Sequence, residues 1–298
     1  MIKYRIFKDK LARFSMSGLT VLSITFLFFI GIGLLIKALP IIQSKSLWEL
    51  LSESNWKPFK GVYGFLPYIV STLQVTLIAI IIAVPLSLLT SIYLTEYANK
   101  RIKKIIYPFI DVLSGIPPVI FGVWGIITIV PYISEVLAPN FVEFSTGYTV
   151  LAGGIVLGIM IIPLIISILT ELFNSIPKDL REASLSVGAT KWQTIKKVVL
   201  RKSLPGIIAA IVLAISRAFG ETIAVLMVCG NMAIIPTSIF DSCYPLPALI
   251  ANNYGEMLSM PDYESALMFS ALLLFVIIVL FNAISRYILK RIENKYAL

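Results

Sequence analysis

Six stretches of about 20 or more mostly apolar residues recur along this chain, and they restrict its fold more than any other feature. A bilayer core offers no water to backbone N–H and C=O groups, so a spanning segment must pair them internally. An α-helix does this within one segment and needs about 20 apolar residues to cross a core about 30 Å thick. The runs cover approximately 17–39, 68–93, 106–133, 149–169, 205–229 and 265–289. Composition agrees. The 298 residues are 58% hydrophobic and 14% charged, where a soluble domain carries about 25% charged residues, and mean hydropathy is +0.92. The expected fold class is an all-α polytopic membrane protein with six transmembrane helices.

Charge sets the expected orientation. Lys3, Arg5, Lys8, Lys10 and Arg13 precede the first run, which at about 23 residues is too long for a signal-peptide core of 7–15 and ends without a small-x-small cleavage pattern. Basic residues gather again at 100–104, at 178–202 and in the tail after the sixth run. The intervening loops at 135–148 and 230–264 hold acids and no Lys or Arg, and the loop at 40–66 holds Lys45, Lys57 and Lys60. The positive-inside rule then places both termini in the cytoplasm. The net charge of +9 is spread by topology and not gathered on one face, which argues against nucleic acid as a partner.

Several chemistries are disfavoured. The chain has no histidine, the commonest metal ligand and general base. Its two cysteines, Cys229 and Cys243, lack a metal-ligand spacing, and a disulfide between them stays open. No Gly-Lys dipeptide occurs, so the P-loop device for ATP is missing. No catalytic residue, metal site or cofactor is expected.

Within the runs, Pro85 should kink the second helix. Ser114-Gly115-Ile116-Pro117-Pro118 should break or bend the third, and such a non-helical step is tolerated only where backbone lines a cavity or is buried in protein. That makes Ser114, Gly115 and Pro117 pathway candidates, while Asp111 reads as a helix-end residue at the cytoplasmic interface. Gly154-x-x-x-Gly158 in the fourth run allows close helix approach.

The fifth run contains Arg217-Ala218-Phe219-Gly220-Glu221. A guanidinium at mid-bilayer costs about 2.5–3.5 kcal/mol on insertion scales. Counted from Pro205, Arg217 lies about 18 Å along the helix, near the middle of the bilayer. On an unbroken helix Glu221 shares its face. Two roles are open: a self-neutralising Arg217–Glu221 bridge, or contact with an anion in a translocation path.

The loop at 174–204 reads as a helix–turn–helix on the membrane surface. Leu180, Ala183 and Val187 form one stripe, Pro177 opens the first helix and Gly188 ends it. Thr190-x-x-Gln193 is a capping box for a second helix carrying Trp192, Ile195 and Val199 on one face. Either an interfacial anchor or a docking surface has this pattern.

Glu182-Ala183-Ser184-x-x-x-Gly188-Ala189-Thr190, followed by Val198-Val199-Leu200 and Pro205, resembles the EAA loop of ABC-importer permeases. Ser184 replaces that family's second alanine, and Arg201 stands where it usually has a proline. Tyr63-Gly64-x-Leu66-Pro67, Ser114-Gly115-Ile116-Pro117-x-Val119-x-x-Gly122, Gly158-Ile159-Met160-Ile161-x-Pro163 and Arg217-Ala218-x-Gly220-Glu221-Thr222-x-Ala224-Val225-Leu226-Met227 are similar to the PstC-type permease of the phosphate importer, with Pro118 where serine is frequent. The resemblance implies a type I ABC importer permease fold. It makes Glu182, Ala183, Ser184 and Gly188 the ATPase-coupling residues and Arg217 and Glu221 substrate-pathway residues. It also implies a PstA-type partner permease, two ATPase subunits that bind the ATP, and an external phosphate-binding protein. The expected organisation is an N-terminal segment with first helix and external loop at 1–66, a permease domain at 67–289 and a cytoplasmic tail at 290–298, in the inner membrane of a prokaryote. A permease for sulfate or molybdate is the near alternative, and an ion-coupled transporter without an ATPase the distant one.

Overall fold

The computed structural model describes the backbone of residues 2–255 and 260–296, with side chains outside the description at 2, 3, 5–7 and 292–296. Its helices are α1 (Ile2–Ser44), α2 (Leu47–Ser52), α3 (Leu66–Tyr97), α4 (Lys100–Gly115), α5 (Pro118–Asn140), α6 (Val150–Asn174), α7 (Lys178–Ser186), α8 (Lys191–Phe219), α9 (Ile223–Val228), α10 (Leu246–Asn253) and α11 (Pro261–Tyr296). Six of them, α1, α3, α5, α6, α8 and α11, are long and apolar enough to cross a membrane. A two-stranded hairpin, β1 (Trp56–Lys57) and β2 (Val62–Tyr63), pairs Trp56 with Tyr63 and turns at Gly61, whose φ is +67°.

Helix ends follow from local chemistry. Asn99 caps α4 by accepting from the Ile102 N–H at 2.9 Å, and Thr149 caps α6 by accepting from the Ala152 N–H at 3.1 Å. α3 runs unbroken through Pro85. Its centre packs on α6 along Gly154 and Gly158: a Cβ built on Gly158 would lie 3.2 Å from the Ala79 carbonyl oxygen. The expected close approach at this pair of glycines is therefore present, and α3 is the helix it admits. The core surrounding this seam includes Val75, Ala79, Val156, Leu157, Ile161 and Ile165, all buried.

α1 packs against α11, and Lys37 Nζ donates to Glu264 Oε1 at 3.0 Å where α11 begins. A second core lies beneath the hairpin, where the Trp56 ring meets Tyr63, Phe65 and Tyr68 edge-on at 5.2–5.6 Å. The Ser71 and Thr72 hydroxyls of α3 accept from the Tyr244 and Leu246 N–H groups, at 3.2 and 2.9 Å, and moor the segment leading into α10.

Two spans differ from the sequence reading. The third does not run from 106 to 133. α4 stops at Gly115 as a separate helix, and the spanning helix is Pro118–Asn140. Ile116 and Pro117 each precede a proline and adopt extended backbone, with ψ of 127° and 140°, and Pro118 then opens α5. Ile106 and Asp111 thus belong to α4, and Asp111 is exposed within that helix, not at its end. The fifth span is also broken. α8 begins at Lys191, runs on through Arg201 and Pro205, and ends at Phe219, with α9 starting only at Ile223.

Candidate translocation and coupling sites

Arg217 occupies the last turn of α8. The Gly220 and Glu221 N–H groups close that turn onto the Arg217 and Ala218 carbonyls, each at 3.2 Å. The break at Gly220 puts Glu221 outside the helix, so the four-residue spacing no longer places the two side chains on one face. Arg217 is exposed, whereas Glu221 is half-buried and its Oε1 accepts from the Ala224 N–H at 3.3 Å, inside the first turn of α9. Among the described residues, neither Arg217 nor Glu221 takes part in an ion pair. The self-neutralising bridge is absent. Glu221 instead borders a cavity of ≈ 10 Å³ with Thr72 and Thr76 of α3, Leu157 of α6 and Pro245, room for about one water.

Ser114, Gly115 and Pro117 lie at the other break, and all three are exposed. The two breaks are related by packing. α5 and α9 run side by side in one direction, because a Cβ on Gly122 would meet Ala224 Cα at 3.3 Å and one on Gly125 would meet Val228 Cγ1 at 2.9 Å. Each helix of the pair starts just after a break, α5 after Pro117 and α9 after Thr222. Among the described residues no hydrogen bond joins Ser114 to Arg217 or Glu221.

The 174–204 loop folds as the expected helix–turn–helix. Pro177 precedes α7, and Gly188 ends it in the left-handed region with φ +83°. At the start of α8, Gln193 N–H donates to Thr190 Oγ1 at 3.2 Å and Thr190 N–H to Gln193 Oε1 at 2.9 Å, the reciprocal capping box. Glu182, Ala183 and Gly188 are exposed, while Ser184 is half-buried and shares a hydrogen bond with Thr194 Oγ1 at 2.9 Å. The apolar stripe faces outward: Leu180, Ala183 and Val187 are all exposed, Val187 at 83%. Of the three residues expected on one face, Ile195 and Val199 are buried, whereas Trp192 is turned out with half its surface open. An outward apolar stripe of this kind suits an interfacial anchor and a docking surface alike. Here it adjoins the exposed Glu182 and the basic residues of the loop.

The profile described as "Binding-protein-dependent transport system inner membrane component" matches residues 83–295. The chain belongs to this permease family. Among relatives, "Probable ABC transporter permease protein YqgH" of Bacillus subtilis is 39% identical over 84% of this chain and 80% of its own. "Phosphate transport system permease protein PstC" of Pasteurella multocida is 34% identical over 83% and 81%. "Probable phosphate transport system permease protein PstC" of Methanocaldococcus jannaschii is 34% identical over 95% and 94%. The permease subunit fold recurs in solved importers. A chain of the MetNI methionine ABC transporter superposes with a TM-score of 0.56 at 21% identity over 77% of this chain and 94% of that one. A chain of a bacterial ABC transporter for alginate import gives 0.56 at 17% over 95% and 99%. As a permease of this family the protein is a multi-pass inner-membrane transport subunit and not an enzyme, and such a permease works with a partner permease, ATPase subunits and a substrate-binding protein.

Two features of this permease escape a reading of the sequence. Thr72 and Thr76 stand four apart on α3, a spacing that puts both hydroxyls on one face, yet nothing local says that Glu221 is opposite. Glu96 and Arg181 are 85 residues apart and meet in the fold.

Proposed function

We propose that the chain is the PstC-type permease of an ATP-driven phosphate importer, and that Arg217 contacts phosphate in the translocation path, with Ser114, Gly115 and Pro117 contributing backbone at the neighbouring break. The observation that carries this reading is a guanidinium that, among the described residues, has no ion-pair partner, beside a break in a helix long and apolar enough to cross a membrane, in a chain whose relatives include phosphate transport permeases. Its planar fork suits a tetrahedral oxyanion better than a lysine does. A phosphate that still carries a proton has a hydroxyl to donate, and Glu221, half-buried nearby in sequence, accepts it. Sulfate has no such donor and meets only like charge.

The full assembly comprises a PstA-type partner permease, two ATPase subunits that bind ATP and dock at Glu182, Ala183, Ser184 and Gly188, and an external phosphate-binding protein. Both termini lie in the cytoplasm. Alternating access at the Arg217 break is driven from the docking helix through α8, which is continuous from Lys191 to Phe219.

Uptake of labelled phosphate by the assembled transporter tests this. Arg217→Ala abolishes uptake while the subunits still co-purify, and Arg217→Lys restores little because a point charge replaces the fork. Glu221→Gln raises the competition by sulfate. Wild-type uptake in Arg217→Ala, or loss of assembly in that variant, overturns the contact role. Unchanged sulfate competition in Glu221→Gln overturns the discrimination role.

A further inference from the structure

One inward-facing side chain joins the docking helix α7 to the membrane helices. Arg181 is 19% exposed and Glu96 11%, although both lie at the polar end of the bundle. Arg181 Nε and Nη2 donate to Glu96 Oε1 at 3.1 and 2.9 Å. Nη1 donates to the Ile176 carbonyl at 2.7 Å, and Nη2 also donates to the Phe173 carbonyl at 2.7 Å. Glu96 belongs to the last turn of α3, Phe173 to the last turn of α6, and Ile176 to the link between α6 and α7. Carbonyls at a helix C-terminus lack intrahelical partners and carry the negative end of the helix dipole, so a guanidinium there is doubly favoured.

The four bonds tie α7 to the ends of α3 and α6 at once. Those two helices form the glycine-seamed pair at the centre of the bundle, and α3 carries Thr72 and Thr76 opposite Glu221. The next two residues of α7, Glu182 and Ala183, are exposed. The helix is therefore held to the membrane domain through Arg181 and leaves Glu182 and Ala183 open. Apolar contacts slide at little cost, whereas a fork-shaped, charge-assisted set of hydrogen bonds fixes direction as well as distance. Beside the joint a cavity of ≈ 400 Å³ is lined by Glu96, Lys103, Asn174, Lys178, Arg181 and Glu182. Space on this side lets α7 tilt, so the bonds and not close packing hold it to α3 and α6.

We infer that Arg181 and Glu96 are positioning residues for energy coupling: they form the joint through which movement of α7 is delivered to the α3–α6 pair. This rests on the reading of α7 as the ATPase-docking helix. It adds that transmission runs through the Arg181 joint as well as along α8, and that docking and transmission are carried by different side chains of α7.

The test uses the assembled transporter in proteoliposomes, supplied with its external binding protein and inorganic phosphate, and reads co-purification of the ATPase, ATP hydrolysis and phosphate uptake per ATP. Arg181→Gln and Glu96→Gln retain the bound ATPase and its hydrolysis, but phosphate moved per ATP falls at least about fivefold, the lower end of ordinary site-to-site coupling. Arg181→Lys, which keeps the charge and loses the fork, is intermediate. In a Glu96→Cys, Arg181→Cys double variant, a thiol-reactive bifunctional cross-linker restores coupling, while the native Cys229 and Cys243 are buried and stay unreactive. Wild-type uptake per ATP in both glutamine variants overturns the joint, and so does a double variant that the cross-linker fails to rescue. Glu182→Arg separates the two levels: if it too leaves the ATPase bound and fully coupled, the docking reading itself fails.

Discussion

Asp241 shows how one carboxylate organises the start of a membrane helix. Its Oδ2 accepts from the Ser238 N–H at 2.8 Å, the Thr237 N–H at 2.9 Å and the Thr237 hydroxyl at 3.0 Å. The loop so held offers the Asp241 and Ile239 carbonyls to the Val150 and Leu151 N–H groups, at 3.0 and 2.9 Å, two donors that the first turn of α6 cannot pair internally. Burial pushes the Asp241 carboxyl up, but the hydrogen bonds from residues 237 and 238 together outweigh it and hold the group below its usual value. A depressed folded value means stability that is present above the unfolded value of about 3.9 and is lost as pH falls through the folded one. The protection factors of the Thr237 and Ser238 amides, corrected for intrinsic exchange, should therefore be flat from neutrality down to about pH 4 and fall below it. Asp241→Ala should lower protection at neutral pH and remove its acid dependence; an acid limb of protection that survives in this variant would assign it to another group. Local signals of this scale are the ones a sequence carries. The Thr190–Gln193 box and the turn at Gly188 were readable because donor, acceptor and backbone angle lie within a few residues. Arg217 and Glu221 were misplaced on one face because a lone glycine in an apolar run is ordinarily tolerated in a helix, and nothing nearby marks Gly220 as an end.

For elements, periodicity gives a face but not what covers it. α4 buries Ile110 and half-buries Ile102, Ile106 and Tyr107 against α6, a stripe that recurs every three to four residues. Its sequence joins smoothly in hydropathy to α5, so the helix was merged with the span although the intervening Gly-Ile-Pro-Pro break was plain. The spacing likewise puts Trp192 on one face with Ile195 and Val199, whereas α8 buries those two and turns Trp192 outward. The glycine seam of α6 was legible, since small residues four apart signal close approach without naming the partner. The seam makes a sharp prediction. A Cβ on Gly154 would lie 2.6 Å from Ile78 Cβ, with no flexible chain end to yield, while Gly33 on α1 has open space around it. Gly154→Ala should destabilise the permease by about 1–3 kcal/mol through overpacking, and Gly33→Ala should change it by less than about 0.5 kcal/mol. Denaturant titration of the purified protein in detergent compares the two, and equal stability would mean that α3 and α6 can part at no cost.

At the scale of the whole molecule, the exposed surface and the charge pattern must agree with one orientation in the bilayer. α1 is exposed along nearly all of its apolar length, from Leu11 to Phe29, as a helix at the rim of a bundle facing lipid would be. Its Lys37 meets Glu264 near the hairpin end, whereas Arg181, Lys191 and the rest of the 178–202 basic cluster sit at the opposite ends of α3, α6 and α8. On the proposed orientation, six crossings by the helices long and apolar enough to span would return the chain to the basic side on which it began. Basic segments resist translocation, so the proposed orientation puts that side in the cytoplasm, where an ATPase would reach Glu182. Two exposed serines report on this without altering charge. Ser54 lies in the segment between α2 and β1, and Ser175 lies between α6 and α7. In intact cells with the outer envelope opened, a membrane-impermeant thiol reagent should label Ser54→Cys directly and Ser175→Cys only after the inner membrane is breached. Cys229 and Cys243 are buried and give no background. The reverse pattern would invert the molecule, put Glu182 out of reach of ATP, and remove the basis for reading α8 as a line from a cytoplasmic motor to the Arg217 break.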